Sequence, residues 1–486
     1  MNTRQDTGLE TRRGRNGPRG LPVVGVANEL LKDPLNYFVD LMLEYGDVVE
    51  FNIGLTPIVM LNDPNAVKHV LQDKFEDYPK SRFYRPFKPI LGRSIFMSAG
   101  QTWLSQRRTA SPCFGGARFQ TMSDRIVAAT RRMFDRWDGF EQRGEPVEIV
   151  HEMMRLTLDG VTQALLDMDF MENYEEVHDA LTVILRETEK RVWSIAPPPD
   201  WLALLTRPRY RRAVATIDSV VRGIIDERRT NPRDSDGLLT TLIEAHDSEN
   251  SGDDDLLRDQ VVAMIATGHE STACALAWAF YLVTQHPEVR ERLYREVDTV
   301  LGRRPPGLSD LQDLEYTGMV FEEAMRLYPP VWTVSRVATS DDTVSGAEIR
   351  KGTTVMLSPY AMHRNPEIWP NPEEFVPERF RPAAVSQRHR YSYFPFGGGP
   401  RVCLGNRFAL MEAKIMMAMV VQRYHLSVLP GQEVVAEPMI TLRPRNGIRM
   451  QLERRSEAAV SRRVANRAKI GMAPQVRTCP ADGVAL

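Results

Sequence analysis

"RYSYFPFGGGPRVCLGNRFALMEAKI" (Arg390–Ile415) sets one thiol, Cys403, between a glycine-rich turn and an apolar-periodic run. The segment "PFGGGP" cannot be regular structure, because its glycines and prolines break both helix and strand. After Cys403, "LGNRFALMEAKIMMAMVVQRYH" spaces its apolar residues as a helix does. The thiol therefore stands at or near a helix N-terminus, where free N–H groups and the positive dipole end favour an anion. That placement predicts a depressed pKa and a thiolate. The bland alternative is a small buried hydrophobe. A thiolate serves as nucleophile or metal ligand. A nucleophile wants a nearby base, and no Cys/His signature surrounds this one. Zinc usually wants several Cys or His ligands, and the chain has no CxxC or HxxxH. A single axial thiolate on haem iron needs one cysteine. It also gives Arg401 a purpose, since a guanidinium is well shaped to pair a haem propionate.

Two further stretches break local rules. "VVAMIATGHESTACALAWAFYLV" (Val261–Val283) predicts a continuous, fully buried helix. Yet Gly268 sits inside it at about 1 kcal/mol relative to alanine, and His269, Glu270, Ser271 and Thr272 interrupt the apolar run. A buried carboxylate is expensive without partners, so this patch marks a site rather than a plain surface. A zinc-protease reading fails, because HExxH needs a histidine where Ala273 stands. "FEEAMRLYPP" (Phe321–Pro330) places Glu323 and Arg326 three apart on one helix face, which alone reads as a surface pair.

The rest of the chain sets bounds. At 486 residues, length alone suggests about three domains, but apolar and charged residues are spread evenly and give no boundary. A net charge of −2 gives no pull toward nucleic acid or anionic membrane. Cys113, Cys274, Cys403 and Cys479 are too few for a disulfide framework, which suits a reducing compartment. No apolar run approaches the roughly 18 residues of a bilayer span. Residues 1–17 read as a mobile basic tail without a secretory core. From 454 on, a second basic tail loses periodicity. Helical spacing dominates, as in "ARFQTMSDRIVAATRRMFDRWDGF", "RYRRAVATIDSVVRGIIDERR" and "PEVRERLYREVDTVL". Short β signals occur in "DVVEFNIGLTPIVML", "TTVMLSPYAM" and "ITLRPRNGIRMQL". "SIAPPPDW" and "NPRDSDG" read as loops. The class is mainly α with minor β, in one large unit.

Together and in this order, the three sites resemble the cytochrome P-450 superfamily of haem-thiolate monooxygenases, from about Pro18 to Glu453. The family's F-x-x-G-x-R-x-C-x-G loop reads here "FGGGPRVCLG", matching at Phe396, Gly399, Arg401, Cys403 and Gly405. The ExxR pattern matches at Glu323 and Arg326, and "NPEIWPNPEEFVPERF" resembles the segment whose arginine, Arg379, locks onto that pair. The resemblance implies that these three support the haem loop and are not catalysts. It implies propionate contacts from Trp103 and Arg107 in "WLSQR" and from Arg336 in "TVSRVAT". The buried polar patch resembles the family's [A/G]-G-x-[D/E]-T signature, with Thr267 and Ser271 as departures. Glu270 with Ser271, or with Thr272 in its place, would relay protons.

The resemblance further implies haem b, O2 as co-substrate, and insertion of one oxygen atom into a hydrophobic small molecule of terpene, steroid or fatty-acyl type. Phe83, Phe87, Ile95, Phe96, Met97, Met264, Ala266, Val331, Trp332 and Ile440 would line the pocket, although any of them could equally be core. Arg82, Arg85 or Arg93 could anchor a carboxylate at its mouth, against a plain surface role. No flavin or ferredoxin domain fits in the remaining chain, so electrons would come from a separate ferredoxin or flavodoxin with an NAD(P)H-dependent reductase. Its docking face would lie near Cys403, with Arg107 and Arg108 as neighbours. The style is that of a soluble, cytoplasmic bacterial member. A peroxide-driven peroxygenase and a non-catalytic haem sensor or carrier are the competing readings, and the Glu270–Ser271 pair argues against both.

Overall fold

The computed structural model describes residues 16–455 except 117, 169–170, 172–173, 195–198, 200–201, 203–204, 233–236 and 249–252. Most of both expected tails, Cys479, and much of the loops "SIAPPPDW" and "NPRDSDG" lie outside the described residues. The fold meets the termini slightly beyond the expected limits. The Asn16 carbonyl accepts from Glu50 N at 2.7 Å, and at the other end Arg455 donates to buried Asp298 at 2.6 Å.

The periodic runs form the expected helices. Those that position the site are α1 (Gly100–Ala110), α2 (Arg118–Arg143), α3 (Ile149–Val161), α4 (Tyr174–Val192), α5 (Pro208–Thr230), α6 (Asp254–Gly268), α7 (Glu270–Gln285), α8 (Pro287–Val300), α9 (Glu315–Leu327) and α10 (Asn406–Arg423). Helix α7 is the axis of the molecule. Every residue from Thr272 to Phe280 is buried, because α3, α8, α9 and α10 surround it. A helix apolar on all sides can only be stable in such a place.

The expected continuous helix is broken at one residue. His269, at φ −99° and ψ −45°, separates α6 from α7. Two hydrogen bonds hold the break. The Thr157 hydroxyl of α3 donates to the His269 carbonyl at 3.0 Å, and the His269 ring donates through Nδ1 to the Ile265 carbonyl at 2.8 Å. Burial pushes this imidazole down to about 4, so the ring is neutral. Gly268 leaves room for the approach, since a Cβ there would stand 3.2 Å from Val161 Cγ1.

The β part is small. A four-stranded sheet has the order β1 (Val48–Ile53), β2 (Thr56–Leu61), β7 (Thr354–Leu357), β4 (Val334–Val337). The β2–β7 pairing is parallel, and its neighbours are antiparallel. β3 (Val147–Glu148), β11 (Arg449–Arg454) and β8 (Tyr424–Val428) form a second sheet, and β5 (Asp342–Val344) pairs with β6 (Ala347–Ile349). β9 (Ala436–Pro438) and β10 (Leu442–Pro444) form a hairpin whose turn faces α7.

The segment Ser81–Ser98 is clamped onto α6. Asp259 Oδ2 accepts from Arg93 N at 2.7 Å, and Gln260 Oε1 accepts from Ile95 N at 3.1 Å. Arg258 donates to the Ile90 carbonyl at 2.7 Å and to Asp218 of α5 at 2.8 Å. Gly92 makes this possible. Its φ is +47°, and a Cβ would fall 1.8 Å from Asp259 Oδ2. We expect Gly92→Ala to cost about 2 kcal/mol, from the left-handed backbone and the displaced carboxylate together. Chemical denaturation checks this, and an unchanged midpoint would mean that the clamp contributes nothing.

Candidate active site

The cysteine loop is held by its glycines and a tyrosine. Gly399 has φ +62°, and a Cβ on it would lie 1.9 Å from the Leu71 carbonyl oxygen. Its N–H donates to Tyr391 Oη at 3.0 Å, and that hydroxyl donates to Gln72 at 2.8 Å. Cys403 N donates to the Phe396 carbonyl at 3.0 Å, and Arg107 donates to the Val402 carbonyl at 2.9 Å. Cys403 is exposed, but toward an internal cavity of about 450 Å³. The expected depressed thiol pKa is not found. Burial pushes the thiol up, and the Gly405 N–H and the Arg107 charge only partly offset this. The helix start is therefore not sufficient by itself to make a thiolate. A coordinating cation would be, because a metal-bound thiol is deprotonated outright.

Four cations face the same cavity: Lys80, Arg107, Arg336 and Arg401. Arg401 donates to the Ser98 carbonyl at 3.1 Å and lies 4.5 Å over the Trp103 ring. Arg336 donates to the Ser335 carbonyl at 2.9 Å, and Lys80 donates to the Phe96 carbonyl. None of the four makes an ion pair with a carboxylate among the described residues. Burial and the neighbouring arginines push Arg401 down to about 10 and Lys80 well below its usual range. Buried like charges that repel one another call for an anion between them. Lys80 was not legible in the sequence, where it is one lysine in an irregular segment.

At the α6–α7 break, successive side chains turn by about 100° and go to different places. Glu270 turns to the β9–β10 hairpin and accepts from the Thr441 hydroxyl at 2.7 Å. Thr272 turns to α10, against the fully buried Glu412. No hydrogen bond of good geometry reaches the Glu412 carboxyl, and burial pushes it well above the usual range. Glu270, Ser271 and Thr272 all line the cavity, and of the three only Ser271 is not fully buried, its hydroxyl 3.4 Å from the Thr267 carbonyl. Burial raises the Glu270 carboxyl, while Thr441 and Arg443 oppose the shift.

The Glu323–Arg326 pair is fully buried, not at the surface. Arg326 holds both oxygens of Glu323, at 2.7 and 2.9 Å. Its remaining donors reach the carbonyls of His363, Pro372 and Glu374 at 2.7–2.9 Å. Arg379 Nε stands 3.4 Å from Glu323 Oε1, a charge contact whose angle is too poor for a hydrogen bond. The Arg379 Nη2 donates to the Asn371 carbonyl at 2.9 Å.

The expected pocket residues converge. Phe83, Phe87, Ile95 and Phe96 come from the clamped segment, and Met264 and Ala266 from α6. Val331, Trp332 and Ile440 complete the wall, with Trp103, Phe396 and Gly405 near the thiol. Met97 packs against the core instead. Arg93 pairs with Asp253 at 2.5 Å on the surface, and neither it, Arg82 nor Arg85 lines the cavity.

The cytochrome P450 family model matches residues 16–451. This chain is a cytochrome P450. Cyclooctatin synthase of Streptomyces melanosporofaciens is 30% identical over 446 residues, covering 91% of this chain and 96% of its own. Cyclooctat-9-en-7-ol 5-monooxygenase of the same organism is 31% identical, covering 85% and 90%. Pentalenene oxygenase of Streptomyces avermitilis is 28% identical, covering 90% and 97%. The protein is a monooxygenase that uses haem b and O2. The cavity fits that group: a thiol on one wall, apolar side chains between, and four cations free to take two carboxylates. No helix among the described residues is long and apolar enough to cross a membrane.

The sequence missed His363 as well as Lys80. The His363 ring donates through Nδ1 to the Arg326 carbonyl at 3.3 Å and accepts from Phe394 N at 3.1 Å, so it joins the ion pair to the start of the cysteine loop. Removing one member of a buried pair leaves a charge uncompensated, at about 3–5 kcal/mol. We expect Glu323→Ala to yield little haem-loaded protein. Haem absorbance per protein measures it, and normal loading would remove the supporting role.

Proposed function

We propose that Cys403 is the axial ligand of the haem iron and that Trp103, Arg107, Arg336, Arg401 and Lys80 hold its carboxylates. Phe396 and Gly405 shape the surrounding loop. The observation that carries this reading is one thiol facing a cavity that also gathers four cations, none of them ion-paired to a carboxylate among the described residues. When bound, haem would supply the oxygen-activating chemistry, and a Cys403 thiolate would lend it electron density. The chain supplies position, dryness and protons. Both alcohols line the cavity, and Ser271 is the relay alcohol because it is the less buried one while Thr272 is turned against Glu412. Glu270, one residue before it, is the acid that reloads the serine. Glu323, Arg326 and Arg379 keep the cysteine loop in place and do no chemistry.

The substrate reading is a hydrophobic hydrocarbon skeleton, with hydroxylation as the outcome. Phenylalanines 83, 87 and 96, Met264 and Trp332 offer apolar surface with few polar atoms to pair. Among terpene, steroid and fatty-acyl types, the names of the relatives favour a terpene. No carboxylate anchor is offered by Arg82, Arg85 or Arg93, which weighs against a fatty acid. Electrons come from a separate ferredoxin or flavodoxin with its reductase. Arg107 is turned to the cavity, which leaves exposed Arg108 and Arg407 for a partner near the loop. The cytoplasm suits the three described cysteines, all free. Residues 18–453 act as one haem domain between two tails.

The first test is the absorption spectrum of the reduced protein with carbon monoxide. A strongly red-shifted Soret band is expected, and Cys403→Ala is expected to lose it. A Cys403→Ala protein that keeps the band would sink the ligand assignment. Spectral titration with terpenes, steroids and fatty acids then ranks the substrate classes, with terpenes expected first. Ser271→Ala is expected to raise the peroxide released per reductant consumed, because the alcohol that passes the proton is gone. Unchanged coupling would move the alcohol role to Thr272 or to water.

A further inference from the structure

The β9–β10 turn touches both the cavity and the relay acid. Ile440 lines the cavity, and the next residue, Thr441, donates to Glu270 at 2.7 Å. Both partners are buried, at 7% and 4% exposure, so no bulk solvent competes for the bond. The turn is fixed from three sides. Trp332 Nε1 donates to the Met439 carbonyl at 2.8 Å, and Trp278 Nε1 of α7 donates to the Leu442 carbonyl at 3.0 Å. Leu442 N donates to the Pro330 carbonyl at 2.9 Å. Trp278 is itself held by stacking on Tyr328, centroids 3.8 Å apart. A hydroxyl placed this firmly against a carboxyl in a dry site has a defined geometry.

We propose that Thr441 is a positioning residue of the proton relay, a hydroxyl on the substrate-facing turn that fixes the orientation and charge of Glu270. This rests on Glu270 being the relay acid. Glu270 and Thr441 both line the cavity, and the bond holds one carboxyl oxygen of the acid on the turn. The other groups facing Glu270 are Arg443 of β10, which favours its charge, and the Cys274 thiol one turn along α7. Cys274 Sγ lies 3.7 Å from the Thr441 hydroxyl and is itself pushed far above its usual range by burial, so it stays a neutral thiol. A donor to the carboxylate favours ionisation, so losing Thr441 favours the protonated acid.

The test is infrared difference spectroscopy of the purified haem-loaded protein over a pH series, with Glu270→Gln as the blank that assigns the carboxyl band. In Thr441→Val the protonation midpoint is expected to rise by about one pH unit, a tenfold gain in proton affinity. Where the acid stays protonated across the series, its C=O band is expected at higher frequency, as loss of a donor requires. Thr441→Ser is expected to restore the wild-type band. Thr441→Ala, which only removes atoms, replaces valine if that variant does not fold. A band that keeps both midpoint and frequency without the hydroxyl would overturn the proposal. The relay reading fails separately, if Glu270→Gln releases no more peroxide than wild type.

Discussion

The structure hangs on one buried ion pair. Arg326 grips both oxygens of Glu323 and uses its other donors on the carbonyls of His363, Pro372 and Glu374. Val376 N closes back on Glu323 at 3.0 Å. An irregular segment has no ladder of its own to satisfy its backbone, and this pair satisfies it instead. Burying two charges is costly, and the geometry here is of the kind that offsets the cost. His363 carries the order onward, from the Arg326 carbonyl to Phe394 N and so to the loop of Cys403. Its ring is kept neutral by burial and by the arginine beside it, which lets one nitrogen donate and the other accept. The loop of Cys403 is thus tied through His363 to the buried pair on α9.

The opposite wall is built on a contrary principle, a controlled defect. A perfect α6–α7 helix would bury Glu270, Ser271 and Thr272 without purpose. Just after the break, the turn of α7 gives Glu270 and Thr272 different neighbours, Thr441 and Glu412, and leaves Ser271 the least buried. The His269 ring takes the Ile265 carbonyl, and the His269 carbonyl accepts from both Ala273 N and the Thr157 hydroxyl. Between the two walls lie the aromatic residues of the clamped segment, whose position is fixed by Asp259, Gln260 and Arg258 on the same helix that carries the break. One helix therefore carries both the clamp and the break.

Much of this was legible in the residues. The helical class followed from periodicity, two sites from broken local rules at Cys403 and Glu270, and the role of Glu323 only from its match to the family's ExxR pattern. Spacing of three gave the Glu323–Arg326 contact, because that contact is local to one turn of helix. What periodicity could not supply was burial. The same ExxR reads as a surface pair until the packing of α9 encloses it. Nor could it supply the thiol's charge. A helix N-terminus favours the anion, yet burial outweighs it, and burial belongs to the fold.

Sequence alone settled the fold class, the family and the chemical types at each wall, because these depend on residue identity and short spacing. Tertiary structure alone decided which of two adjacent alcohols is buried, since a rotation of about 100° per residue sends neighbours to different surroundings. It brought Lys80 to the arginines, and Thr441 to Glu270 across 171 positions of chain. Such contacts carry no local signal. They exist because a cavity wall gathers side chains from segments that only the packed core brings together.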